Sequence, residues 1–209
     1  MVQKKSNAAP RRGRPRQYDP ERALADAAAS FWKSGYAGTS LDELAAATGM
    51  NRPSLYAAFG DKRDLYLKTL ERYRDQSRAL ALELLADEPP LRVYLERFYR
   101  AALDIYQAGD ERARGCYTIS TAATQATVDP AVRAFLAESI RATDAFLSNL
   151  IAKARDRGEI EASADPAALA QLATATLHTL AVRARAGISR RQLNALAAAA
   201  IDTICKPSG

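Results

Sequence analysis

The sequence predicts an all-α fold of about nine helices, and three observations carry that prediction. Helix formers dominate: 48% of the 209 residues are apolar, Ala leads among them, and only 10 Gly and 9 Pro interrupt the chain. Apolar residues recur at three- and four-residue intervals, with no alternating stretch that would read as a strand. Asp-Pro pairs at 19–20, 129–130 and 165–166 each put a capping carboxylate before a proline, at the first helical position, where a missing amide donor costs nothing.

The first helix starts at Asp19-Pro20, buries Leu24, Ala27 or Ala28, and Phe31, and stops near Gly35. Ser40-Leu41-Asp42-Glu43 is a capping box that opens a second helix, with Leu41, Leu44 and Ala45 on one face. Gly49 supplies a left-handed stop within Thr48-Gly49-Met50-Asn51. Asn51 caps a third short helix, with Pro53 in its first turn and Leu55, Tyr56 and Phe59 as its large apolar groups. Asp61 caps the fourth, which runs towards Leu85 and ends at Asp87-Glu88-Pro89-Pro90, the best linker candidate. A fifth carries Leu91, Leu95, Phe98, Ala102 and Ile105 on one face; residues 109–115 are a polar break. Cys116 to Thr127 reads as a short, Thr-rich, bent helix. The seventh runs from Asp129-Pro130 to about Gly158 and the eighth from Asp165-Pro166, and Ser189 with Gln192 caps the ninth by the same reciprocal bonding as Ser40 with Glu43.

Two short helices joined by a tight, Gly-containing turn are the helix-turn-helix unit, whose second helix enters the DNA major groove. Residues 39–62 have that layout, so DNA binding is the expectation. Spacing alone also fits a plain helical hairpin.

The segment resembles the DNA-binding domain of the TetR/AcrR family of transcriptional regulators. The match spans roughly residues 19–66 and rests on Gly35, Tyr36, Thr39, Ser40, Leu44, Ala45, Gly49, Leu55, Tyr56, Phe59, Lys62 and Leu65. Pro53 stands where the family often has Gly, and Ala58 where it often has His, so base preference does not carry over. Helix geometry together with the resemblance implies that Arg52, Pro53, Ser54 and Ala57 face base edges. Thr39, Tyr56 and Lys62 are then candidates for the phosphate backbone, and Ser40 is a further DNA-binding candidate. A double-stranded DNA operator is the implied partner.

Charge is concentrated at the amino end. Residues 1–18 contain Lys4, Lys5, Arg11, Arg12, Arg14 and Arg16 and no acid; the rest of the chain holds 24 of the 30 basic residues against 24 acids. This segment reads as a basic flexible arm. Arg12-Gly13-Arg14-Pro15 has the form of an AT-hook core, so Arg12, Arg14 and Arg16 are candidates for an A·T-rich minor groove. A solubilising tail is the plainer reading. The arm alone would also suit an architectural A·T-rich DNA-binding protein, although that leaves some 140 residues of helical core without a purpose.

The chain offers little to an enzyme. One His, two distant Cys and no Gly-rich phosphate loop assemble neither a catalytic triad nor a usual zinc set, so no catalytic residue, metal or cofactor is expected. There is no run of about 18 apolar residues and no signal-peptide pattern, so a soluble, cytoplasmic protein without membrane contact is expected. Cys116 reads as a small buried hydrophobe rather than a redox sensor.

The last two helices carry wide apolar stripes: Leu169, Leu172, Ala173, Thr176, Leu177 and Leu180 on one, and Leu193, Leu196, Ala197, Ala200, Ile201 and Ile204 on the other. Pattern alone leaves an internal core and a two-fold four-helix bundle equally open. The resemblance implies the second: a homodimer built on residues 165–205, which would set two recognition helices on a palindromic operator. It also implies that residues 67–209 form a regulatory and dimerisation domain holding a small-molecule effector. Candidate lining residues are Phe98, Ala102, Ile105, Tyr106, Cys116, Tyr117, Ser120, Thr121, Thr124, Phe146 and His178, apolar or aromatic with a few hydroxyls. His178, the only His, equally suits a hydrogen-bonded core position.

Overall fold

The computed structural model describes residues 18–108 and 113–206. Among these the chain forms nine α-helices, one π-helical turn and no strand. The head is built from α1 (Pro20–Gly38), α2 (Leu41–Thr48), α3 (Arg52–Phe59) and the start of α4 (Lys62–Glu83). The larger body comprises α5 (Leu91–Gln107), the π turn (Thr118–Ala122) running into the three-residue α6 (Ala123–Gln125), α7 (Pro130–Asp156), α8 (Pro166–Arg185) and α9 (Arg190–Ile204). The bent sixth helix expected from the sequence is this π turn, a local insertion that breaks the 3.6-residue register.

Helix boundaries follow their caps. Asp19, Asp129 and Asp165 accept from the first free amides of α1, α7 and α8, ahead of the prolines. Both halves of the Ser40–Glu43 capping box form, and Asp61 with Asp64 makes a second box at α4. The ninth helix departs from expectation: Ser189 Oγ accepts from the Gln192 amide but donates to Gln192 Oε1, so the bonding is not that of a full box. α5 has no side-chain cap of its own; the Leu91 amide donates to Glu159 Oε2, 2.6 Å away beyond the end of α7. Gly35 (φ 74°) breaks α1 where the sequence stops it, and one further turn continues to Gly38.

Two cores result. The head core gathers Ala23, Ala27, Phe31, Leu44, Leu55, Phe59, Leu65, Tyr66 and Leu70, and is closed from the body side by Tyr117, Ala122, Ala126 and Val132. On α1 the deepest positions are Ala23, Ala27 and Phe31, with Leu24 and Ala28 at the margin. The body core packs α5 against α8 and α9, with Tyr94, Leu95, Tyr99, Leu103, Leu147, Ile151, Ala173, Leu180, Leu193 and Ile201 inside. α4 belongs to both, its first half in the head core and its second half over the body. A fork from Arg63 to Asp129 (2.5 and 3.0 Å) pins the start of α4 to the cap of α7.

Candidate nucleic-acid interface and internal cavity

The outward face of the head is the amino-terminal half of α3. Asn51 Oδ1 accepts from the Ser54 amide at 2.9 Å, which fixes the first turn, and Pro53 occupies it without needing a donor. Leu55 and Phe59 point into the core, so Arg52, Pro53 and Ala57 are exposed, Tyr56 is 46% exposed and Ser54 is half-buried. These are the positions expected to meet base edges and phosphates.

Two details were not legible in the spacing. Arg52 is held by Asp42 of α2: Nε donates to Oδ1 at 2.8 Å and Nη2 to Oδ2 at 2.5 Å. The hydrogen bonds from Arg52 hold the Asp42 carboxyl below the usual carboxylate range. Lys62 lies 4.4 Å over the Tyr36 ring, and its partial desolvation lowers its pKa. Its ammonium is thus seated on the aromatic face rather than swinging free.

Thr39 departs from its expected phosphate contact. It is 1% exposed, and its hydroxyl donates inward to the Gly35 carbonyl at 2.7 Å, locking the end of α1 to the start of α2. Ser40 stays at the surface, but its hydroxyl accepts from the Glu43 amide at 3.1 Å. Arg12, Arg14 and Arg16 lie outside the described residues.

A cavity of about 510 Å³ lies in the body, between α4, α5, α7, α8 and the π turn. Seven of the expected residues line it: Phe98, Ala102, Ile105, Tyr106, Cys116, Phe146 and His178. Four do not. Tyr117 is fully buried towards the head, its hydroxyl 2.7 Å from Thr69 Oγ1. Thr121 accepts from the Tyr66 hydroxyl at 2.8 Å, in the same seam. Ser120 Oγ donates to the Arg114 carbonyl at 3.3 Å, and Thr124 is exposed. Cys116, just before the helical turn, faces the cavity, whereas Tyr117 turns towards the head.

One long wall was not expected from the sequence, made by Tyr73, Ser77, Arg78 and Leu80 of α4, with Leu84 at its cap, facing Leu136, Ser139 and Thr143 of α7. Cys116 accepts from the Tyr73 hydroxyl at 3.7 Å, and burial pushes its thiol pKa up. That suits a weakly reactive, half-buried thiol. His178 makes no hydrogen bond to a described residue, and desolvation lowers its pKa, keeping the ring neutral. It is a cavity residue rather than a satisfied core histidine.

Besides α4, a short segment just before the π turn ties the body to the head. The Arg114 carbonyl accepts from Trp32 Nε1 of α1 at 3.1 Å, from Arg185 Nη1 of α8 at 3.1 Å and from Ser120 Oγ. Gly115 comes next at φ 69°, where a Cβ would sit 2.8 Å from the Ala181 carbonyl oxygen.

The expected dimer stripe divides into two sets. Ala173, Leu180, Leu193, Ile201 and Ile204 are buried within the chain's own body core, because α5 covers that face. Leu169, Leu177, Leu196 and Ala200 are partly open, and Leu172 is 39% exposed. Val182, absent from the expected stripe, is 58% exposed on α8.

Residues 23–69 match the family model described as bacterial regulatory proteins, tetR family, and residues 92–200 match the tetracyclin repressor-like C-terminal domain. The chain belongs to the tetR family. It is 30% identical over 187 residues to the HTH-type transcriptional repressor ComR of Escherichia coli (strain K12), covering 89% of each chain. It is also 30% identical over 208 residues to the HTH-type transcriptional repressor BdcR of the same organism, covering 98% of this chain and 97% of that one. Its fold superimposes with a TM-score of 0.81 on a cysteine mutant of the TetR family regulator CifR complexed with 26-base-pair double-strand operator DNA. That match is 30% identical and covers 90% of this chain and 98% of CifR. This tetR-family chain is therefore a DNA-binding transcriptional regulator.

Among the described residues of this tetR-family chain, no helix is long and apolar enough to cross a membrane. Among the described residues, no group of three or more His, Cys, Asp or Glu stands where it could hold a metal ion.

Proposed function

We propose that this chain is a cytoplasmic repressor that binds a palindromic operator as a homodimer and is released by a small molecule held in the body cavity. On this reading residues 19–66 are the DNA-binding unit and residues 67–209 the regulatory and dimerisation unit. The arm, residues 1–18, adds minor-groove contacts through Arg12, Arg14 and Arg16. No catalytic step is assigned to any residue.

One observation supports it above the others: a single helix, α4, carries head core on its first half and cavity wall on its second. A molecule that prefers one setting of α4 therefore biases the position of α3. It releases DNA only to the extent that it binds the DNA-incompetent setting more tightly. Reversing a 1:99 population takes about 10⁴-fold preference, or roughly 5.5 kcal/mol. The relatives named as repressors, and the operator complex of CifR, support the direction of control.

The test is to select genomic fragments with the purified full chain and measure their binding by fluorescence anisotropy. One short palindrome bound two chains at a time supports the reading. Broad coverage of A·T tracts, or binding by a monomer as tight as by a dimer, overturns it.

A further inference from the structure

The cavity wall is unevenly charged. One side of its interior is apolar, with Phe98, Ile105, Phe146 and Leu177 beside His178, whose pKa desolvation lowers. The exposed lining residues Arg78, Glu138 and Ala142 mark its opening between α4 and α7. Glu138 is committed to Arg141 at 2.9 Å. The neighbouring Arg74 is committed to Asp75 at 2.9 Å and lies 5.5 Å over the Phe135 ring. Arg78 alone among the lining cations has neither an ion pair nor a hydrogen bond to any described residue.

A guanidinium presents a planar fork that matches a carboxylate through two parallel hydrogen bonds. Here it stands at the mouth of an apolar chamber whose 510 Å³ falls within the range of small-molecule sites. A cationic head group would be repelled by Arg78, and a neutral one would gain only the weaker bond of an uncharged acceptor. We propose that the cavity takes a medium-sized carboxylic acid as its anion, with an apolar body between Phe98, Ile105 and Leu177 and the carboxylate on Arg78. This rests on the reading of the cavity as the effector site.

The experiment is calorimetric titration of the full-length chain with decanoate, decanol and decylammonium, and with the same three head groups on a naphthylmethyl body. The carboxylate should bind at least about tenfold more tightly than either counterpart, the scale of one charge-assisted contact. Its advantage should shrink as salt rises, because the fork is exposed. Arg78→Gln should erase the preference and leave the alcohol's affinity unchanged, and Arg78→Glu should turn it towards decylammonium. Both are surface changes that leave the fold intact. Ala102→Trp, which fills the chamber, should abolish binding of all three. Equal affinities for the three head groups, or a preference that survives Arg78→Gln, would overturn the carboxylate assignment while leaving the cavity as an effector site. Binding that survives Ala102→Trp would place the ligand elsewhere, and no binding by any probe would sink both readings.

Discussion

Asp42 and Arg52 form a fork at the start of α3, on the face proposed to meet DNA. The carboxylate repels phosphates, yet it holds the guanidinium in one orientation at the start of α3. Arg52→Ala should cost about 1–3 kcal/mol on the operator and relax one base position, as for loss of a bidentate base contact. Asp42→Asn should act in the opposite sense on unrelated DNA: affinity rises with the loss of a negative charge, while discrimination falls because the arginine is no longer oriented. Anisotropy with operator and scrambled duplexes separates the two effects, and unchanged discrimination in both variants would remove Arg52 from base reading. Asp129 makes a pH-dependent counterpart at the junction with the body. Its fork from Arg63 lowers its pKa to about 2, below the roughly 3.9 of an unfolded carboxyl. Its stabilisation is therefore complete above about pH 4 and disappears as the pH falls towards 2. Urea unfolding of wild type and Asp129→Asn should differ at pH 5 and converge near pH 2.

The head was legible because its signals are local. The Ser40 box, the left-handed Gly49 and the Asn51 cap each act within four residues, so spacing carries their meaning. Ser40→Ala should accordingly cost about 1 kcal/mol in thermal unfolding, the usual worth of a cap. The cavity was half legible for the opposite reason. Its α5 lining lies along an apolar stripe, but the α4 and α7 walls mix Ser77, Arg78, Ser139 and Thr143 with apolar groups, and only the packing of distant helices makes them face one space. The misplaced Thr121 has a further cause, since the extra residue of the π turn rotates side chains within and beyond it off the helical register. No local rule linked Glu159 to the amide of Leu91 either. Gly115 is the element whose replacement should be costly: Ala there combines a left-handed backbone with a clash against Ala181, on the order of 1–2 kcal/mol or more. Thermal unfolding of Gly115→Ala measures that loss.

At the scale of the whole molecule, the divided stripe on α8 and α9 decides which substitutions test assembly. Ile201 holds the chain's own core, so Ile201→Glu would unfold the body and say nothing about pairing. Leu172→Glu with Val182→Glu places charge on the open side instead. Sedimentation should then find a monomer with an unchanged helical dichroism signal and no operator affinity; a surviving dimer would put the interface on another face. Coupling between the two ends is reciprocal, so operator DNA must weaken the effector by the same factor that the effector weakens DNA. The Arg114 carbonyl gives that exchange a readout. Trp32 is the single tryptophan of the chain; its indole donates to this carbonyl, and its ring lies 5.4 Å from Tyr73, itself part of the cavity wall. Its emission wavelength therefore tracks the seam between head and body without any added label. Effector and operator, which pull that seam towards opposite settings, should shift the spectrum in opposite directions.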